Sequence, residues 1–187
     1  MPDTEHYKNL VLGSGEAGKY LAWTLAKQGE RTAVIERRWI GGSCPNIACL
    51  PSKNVIHSAK VASLFHRAAE FGITTQSFSL SMESVRRRKR EMVDGLVKTH
   101  LANYQTSGAE LIMGEGRLSG PKALEVKRGD LGTLRLTADR IFLNVGTHAA
   151  IPDIPGLKGA RPLTHVNGST WIALPIICSS LAAGMSD

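Results

Sequence analysis

The run Tyr7-Lys8-Asn9-Leu10-Val11-Leu12-Gly13-Ser14-Gly15-Glu16-Ala17-Gly18, with Thr32-Ala33-Val34-Ile35-Glu36 after it, decides the fold. Tyr7 to Leu12 reads as a short strand entering a Gly-rich turn. Ala17, Tyr20, Leu21, Thr24 and Leu25 then fall at helical spacing on one face, and Gly29 is placed to stop that helix. Thr32 to Ile35 is β-branched and apolar, so it reads as a second strand ending on Glu36. Strand, Gly-rich turn, helix and strand together begin a doubly wound α/β domain.

Gly13, Gly15 and Gly18 have the G-x-G-x-x-G spacing. Gly13 permits the tight turn, Gly15 lets backbone approach a pyrophosphate, and Gly18 lets helix pack close to strand. The helix N-terminus offers N–H groups and a positive dipole end to phosphate. Glu36 lies 18 residues beyond Gly18, where a carboxylate can accept from both ribose hydroxyls. It would repel a 2′-phosphate, so FAD or NAD is favoured over NADP. The alternative is a ligand-free turn with a solvated Glu36.

Outward from this unit, Gly41 and Gly42 mark a loop. A helix is expected from Ser52, as N-cap, to about Phe71. A second runs from Ser81 to about Tyr104 with Met82, Val85, Met92, Val93, Leu96, Leu101 and Tyr104 on its apolar face. Ala109 to Met113 is apolar. Ala123–Lys127 and Thr133–Thr137 alternate around Gly129 and Gly132 as a hairpin or small meander, and Arg140 to Val145 forms another strand. There is no internal repeat.

The chain has 187 residues, 42% of them hydrophobic and 21% charged, which suits one globular domain and excludes disorder. Its net charge of +7 is compatible with nucleic acid, a membrane surface or an anionic cofactor. Part of the excess lies in Arg86-Arg87-Arg88-Lys89-Arg90. The apolar face continues through that run, Lys89 can snorkel along it, and no aromatics interleave as a stacking platform. A solvated or partner-facing helix is therefore expected there, not a nucleic-acid site. No signal-type segment is visible. The longest apolar stretch, Trp171 to Met185, is broken by Pro175, Ser179 and Ser180 and is too short for a membrane span. The expected location is cytoplasmic, where three cysteines do not suggest a structural disulfide framework.

Two of the cysteines lie in Gly41-Gly42-Ser43-Cys44-Pro45-Asn46-Ile47-Ala48-Cys49-Leu50-Pro51-Ser52-Lys53. Over five residues a straight helix rises about 7.5 Å, whereas a disulfide needs Cα atoms within about 7 Å. If these two cysteines bond, the segment between them cannot be ideal helix. Inert buried thiols are the alternative. No zinc-like spacing accompanies the pair, so no metal site is expected, and Cys178 stands apart as structural or incidental.

This segment resembles the G-G-x-C-x-x-x-x-C-x-P-[S/K]-K signature of the pyridine nucleotide–disulfide oxidoreductases, the family of lipoamide dehydrogenase, glutathione reductase and mercuric reductase. Its Pro-Ser-Lys ending is more similar to the lipoamide and mercuric branches. Asn144-Val145-Gly146-Thr147 and Ile151-Pro152-Asp153-Ile154-Pro155-Gly156 are similar to the family's later strand-Gly-Thr element and the loop after it, so the resemblance runs from about Tyr7 to Gly156. It implies an α/β fold: a doubly wound, Rossmann-like FAD-binding domain with a small β-meander, incomplete at its C-terminus. It implies electron flow from NAD(P)H through FAD to a Cys44–Cys49 redox disulfide, then to a small disulfide or a thiol-seeking metal ion. Cys44 would be the interchange thiol and Cys49 the thiol nearer the flavin, with Lys53 against the ring. A helix N-terminus and Lys53 would both favour the thiolate that attacks sulfur. Gly13, Gly15, Gly18, Glu36 and Gly42 join the cofactor-binding set. Ser43 would lie near the pyrophosphate, Gly116 would present backbone to the adenine, and Gly146 and Thr147 would pass near the flavin phosphate or ring.

Complete family members also carry a second Rossmann unit for NAD(P)H and an interface domain bearing a His–Glu pair. Neither is matched here, and His6, His57, His66, His100, His148 and His165 sit in no such motif. The expected organisation is residues 1–166 as the first segment of a normally discontinuous FAD-binding domain and 167–187 as an unmatched tail, in a truncated chain whose reading frame or gene was interrupted. The family's homodimer is then doubtful. Mercuric reduction is possible, although the mercury-handling N-terminal domain and C-terminal Cys pair are absent. The alternative function is a non-catalytic flavin- or nucleotide-binding module, or an inactive fragment.

Overall fold

The computed structural model describes residues 4–74, 76–164 and 166. Its elements in chain order are β1 (Thr4–Leu12), α1 (Glu16–Lys27), β2 (Thr32–Glu36), α2 (Ser43–Asn46), α3 (Cys49–His66), α4 (Met82–Ser107), β3 (Glu110–Met113), β4 (Glu115–Gly120), β5 (Ala123–Lys127) and β6 (Thr133–Leu143), with single 3₁₀ turns at Ala68–Phe71 and Gly129–Leu131. The six strands form one sheet in the order β3-β2-β1-β6-β5-β4. β3, β2, β1 and β6 run parallel, while β6, β5 and β4 are antiparallel neighbours. This is the mixed α/β architecture expected.

Side-chain alternation along the strands builds two cores. Leu10, Ala33, Ile35 and Ile112 face Leu124, Val126 and Leu136 of the meander, which curls over the sheet. Val11 and Val34 face the other way, onto Ala22 and Trp23 of α1 and Tyr104 of α4. β2 is therefore buried along its whole length, as a central parallel strand covered on both faces must be.

Several expectations need correction. The packed face of α1 is Gly18, Lys19, Ala22 and Trp23; Ala17 and Thr24 are exposed, and Tyr20 is 58% exposed. Gly18 sets the rotation, because a Cβ there would lie 2.4 Å from Gly13 O and 3.0 Å from a Val11 methyl. Ser52 caps nothing. α3 starts three residues earlier with Ala48 as its N-cap, and Ser52 Oγ donates back to Cys49 O at 3.0 Å. Pro51 fits this frame, since the first helical turn tolerates proline. Ser81 does cap α4, its Oγ accepting from Ser84 N. On α4, Leu101 is exposed, and the buried face continues through His100, Tyr104 and Ser107.

The segments expected as two strands around Thr133–Thr137 and Arg140–Val145 are one strand. β6 pairs with β5 at its start and with β1 along most of its length. β4 was not anticipated at all. The basic run stays on α4, where Arg88 Nη2 donates to Asn54 O and to Ser58 Oγ, tying α4 to α3. Among the described residues no helix is long and apolar enough to cross a membrane. The Trp171–Met185 stretch and Cys178 lie outside the described residues.

Candidate active site

Because β1, β2 and β6 are parallel, their carboxyl ends open on the same edge of the sheet, where ligands of doubly wound folds bind. Three loops meet there: Gly13–Gly15 after β1, Arg37–Gly42 after β2, and the chain after Leu143 of β6. They touch so closely that side chains are excluded. A Cβ on Gly13 (φ +102) would come within 2.2 Å of Asn144 O, and one on Gly42 (φ +79) within 2.5 Å of Gly15 Cα. No side chain caps the N-terminus of α1. What remains is bare backbone at a helix start, a cradle suited to phosphate.

Asn144, quoted above only as part of a motif, is the residue that locks this cradle. Its N–H donates to Leu12 O at 2.8 Å, and its Nδ2 donates to Gly13 O at 3.0 Å. The same Nδ2 would stand 2.5 Å from a Cβ at Gly18 and 3.1 Å from one at Gly15. All three fingerprint glycines are thus small against one asparagine or its neighbours.

Glu36 is 8% exposed. Its Oε2 accepts from Ser14 N (3.0 Å) and Ser14 Oγ (2.7 Å), and its Oε1 from Arg38 N (2.7 Å) and Trp39 N (2.9 Å). A carboxylate offers about four acceptor positions, and the chain fills them. Recognition of a ribose by Glu36 requires one of these bonds to yield. Ser14 extends the network, since its Oγ also accepts from Gly41 N at 2.9 Å. The fingerprint loop, Glu36 and the approach to the cysteines are therefore one hydrogen-bonded unit. Ser14 occupies a variable position of the motif, so nothing in the sequence marked it.

The cysteine segment is broken helix, as disulfide closure demands. Cys44 lies in α2, Ile47 (φ −136, ψ −18) and Ala48 (φ −114, ψ −95) leave helical geometry, and Cys49 begins α3. The two thiols are free, Cys44 half-buried and Cys49 exposed. Burial pushes the Cys44 thiol above its usual range, helped by Cys49 and then by Glu16, while Lys19 opposes the shift. Asn46 Nδ2 pins the turn by donating to Ile40 O (2.9 Å) and Gly42 O (2.7 Å).

The structure brings Gly13, Gly15, Gly18, Glu36, Gly42, Ser43, Cys44 and Cys49 together. Ser43 is exposed at the start of α2, and Lys53 is exposed one turn after Cys49 on α3. Gly146 (φ +70) and Thr147 lie exposed just beyond β6, at the same end of the sheet. Gly116 is on β4, where a Cβ would lie 2.6 Å from a Leu12 methyl and 3.1 Å from Ile35 Cγ2. Its smallness serves the packing of the meander on the sheet. Among the described residues no group of three or more His, Cys, Asp or Glu is arranged to hold a metal.

The pattern of the family described as pyridine nucleotide-disulphide oxidoreductase matches residues 7–172. The chain belongs to this family. It is 33% identical over 154 residues to the probable pyridine nucleotide-disulfide oxidoreductase RclA of Escherichia coli, covering 81% of this chain and 31% of that one. It is 33% identical over 160 residues to a dihydrolipoyl dehydrogenase of Bacillus subtilis, covering 81% of this chain and 33% of the relative. A mercuric reductase of Acidithiobacillus ferrooxidans is 31% identical over 184 residues, with 92% of this chain and 33% of the relative covered. The solved Cu(II) complex of the HOCl-induced flavoprotein disulfide reductase RclA superposes with a TM-score of 0.74 at 28% identity, over 92% of this chain and 36% of the other. This member of the oxidoreductase family thus spans about a third of the length of the curated relatives it matches. The family match also runs past Gly156, where the resemblance in motifs stops.

Proposed function

We propose that residues 1–166 are the first segment of the FAD-binding domain of a disulfide oxidoreductase, with Cys44 and Cys49 as its redox pair and 167–187 as a following tail. One observation carries this reading: Cys44 and Cys49 flank a helix break that is stitched, through Gly42 against Gly15, to a bare-backbone phosphate cradle. The cradle fits a dinucleotide. Gly13, Gly15 and Gly18 would take the pyrophosphate on backbone, Glu36 would take a ribose, and Gly42, Ser43, Lys53, Gly146 and Thr147 would border the rest. Gly116 would reach an adenine only through its backbone.

FAD, when bound, supplies the electron pair that opens the Cys44–Cys49 disulfide, at the expense of NAD(P)H in the whole enzyme. Half-buried Cys44 is the thiol that meets substrate. As thiolate it attacks one sulfur of a small disulfide, releasing the other half as a thiol, and Cys49 then displaces the bound half to re-form the protein disulfide. A thiol-seeking metal ion is the other substrate class. Asn46 and Ser14 hold the loop so that the two sulfurs stay in reach.

The test is the absorbance spectrum of the purified chain before and after dithiothreitol. The expected result is a protein-bound flavin spectrum that gains a long-wavelength band on thiol reduction and loses that band in Cys49→Ser. A colourless, folded chain sinks the flavin assignment. Flavin retention with no disulfide between the two cysteines sinks the redox assignment.

A further inference from the structure

A lysine on the packed face of α1 calls for a reason. Lys19 is 1% exposed, and a buried ammonium is costly unless it is paired. Its Nζ donates to Glu16 Oε1 at 2.6 Å and to His100 Nε2 on α4 at 3.1 Å. An ammonium has no lone pair to offer, so Nε2 accepts, and His100 is neutral with its proton on Nδ1. Burial first, and then Lys19, hold His100 below the ordinary histidine range.

The other edge of that ring supports the redox loop. Nδ1 is buried with no partner at ordinary hydrogen-bonding distance, although the Ile40 backbone lies near enough to favour its protonated form weakly. A Cβ on Gly41 would come within 2.4 Å of Nδ1 and 3.1 Å of Pro45 Cγ. The imidazole, the Gly41 turn and Pro45 are therefore stacked without spare room, and Cys44 sits beside Pro45. Trp23 closes the remaining side, its ring centroid 5.9 Å from that of His100.

We propose that Lys19, clamped between Glu16 and His100, is a positioning residue that sets the reactivity of Cys44, with His100 holding both the ammonium and the loop in place. This rests on the reading of Cys44 as the substrate-facing thiol. The groups that act on Cys44 are Cys49 from α3 and Glu16 and Lys19 from α1, with opposite signs for the last two; His100 of α4 acts through Lys19. The chemistry concerned is the loss of the Cys44 thiol proton to solvent, which leaves the thiolate that attacks sulfur or an alkylating agent. Lys19 opposes, and Glu16 adds to, the upward push that burial and Cys49 exert on that proton.

The experiment is the pH–rate profile of iodoacetamide alkylation in the full chain carrying Cys49→Ser and Cys178→Ser, so that Cys44 alone reacts. Lys19→Met should move the profile to higher pH and slow alkylation at pH 7 by about twofold. Glu16→Gln should move it to lower pH and speed the reaction about twofold, and Lys19→Arg should restore the parent profile. Glu16 is half-exposed, so its variant remains informative even if Lys19→Met unfolds, which circular dichroism would reveal. Opposite shifts support the proposal. Shifts in the same direction, or none in Glu16→Gln, overturn it. Thiol counting of the unmodified chain after mild oxidation tests the Cys44–Cys49 disulfide separately. If no disulfide forms, the redox reading fails while the alkylation series still decides the role of Lys19.

Discussion

Both α1 and α3 leave the ligand-binding edge of the sheet, yet they are held in opposite ways. α1 has 12 residues and buries Gly18, Lys19, Ala22 and Trp23. α3 has 18 residues and fully buries only Pro51, while Ile56, Val61, Leu64 and Phe65 stay 41–64% exposed. With the segment around Phe78 to Ser81 and with α4, α3 lines an apolar groove of about 600 Å³. The phosphate cradle is thus attached to the most confined helix, and the exposed thiol Cys49 to one of the least confined. Confinement suits a site that must exclude side chains; an open helix leaves room beside Cys49 for a bound group.

The sharpest way to break this contrast is Trp23→Ala. Trp23 is 7% exposed and packs edge-on against Tyr104 at 5.4 Å between ring centroids. Its loss should cost about 3–5 kcal/mol, read from urea unfolding; a cost below about 1 kcal/mol would mean that α1 is not the anchor. Next comes Asn144→Ala, which removes the bond to Gly13 O. About 1 kcal/mol of stability should go, with flavin retention falling more than stability does. Equal losses would make Asn144 a packing residue only.

The third test uses pH. His100 is held below the 6.5 of a free histidine, so the unfolded chain takes up the proton first as pH falls. Its contribution to stability is complete above that value and is lost progressively as the pH drops through it towards the lower folded value. Urea midpoints measured from pH 7.5 to pH 5 should fall more steeply in the wild-type chain than in His100→Gln. Parallel curves would remove His100 from the account of Lys19. The smallest effect is expected on α3. Ile56→Ser, at a position 64% exposed, should change stability by less than about 0.5 kcal/mol, and a larger loss would show that α3 is anchored after all.

The glycine spacing and the run to Glu36 were enough to read the fold, because each of those residue types answers a steric demand of the backbone. The rotation of α1 was not legible. Counting apolar residues favours Tyr20 and Leu21, but the contact of Gly18 with Gly13 O turns the helix so that Lys19 points inward. The Glu16–Lys19–His100 cluster is hidden for the same reason, as a charged pair at helical spacing reads like an ordinary solvated face. β4 escaped because Glu115–Gly120 has a single large apolar residue, Leu118, and that residue is 54% exposed; backbone pairing to β5 defines the strand. β6 looked like two strands because polar Asp139 and Arg140 interrupt its pattern. Those two residues instead pair outward, Asp139 with Lys8 at 3.0 Å and Arg140 with Glu30. Of the site, the cysteines and glycines were legible and Asn144 and Ser14 were not, since their roles depend on what the folded chain brings beside them.

The central strand of the sheet has a consequence for how the protein is born. β1 is flanked by β2, close in sequence, and by β6, whose Arg140 bonds Asn9 across 131 residues. On the ribosome β1 is made some 131 residues before its second neighbour. At about 5–20 residues per second that wait is on the order of ten seconds. Throughout it one edge of the strand, with apolar Leu10 and Val11 near its carboxyl end, offers unpaired backbone to any passing chain. Synthesis speed and chaperone supply, more than final stability, are then the variables that should govern how much of this protein reaches its native state.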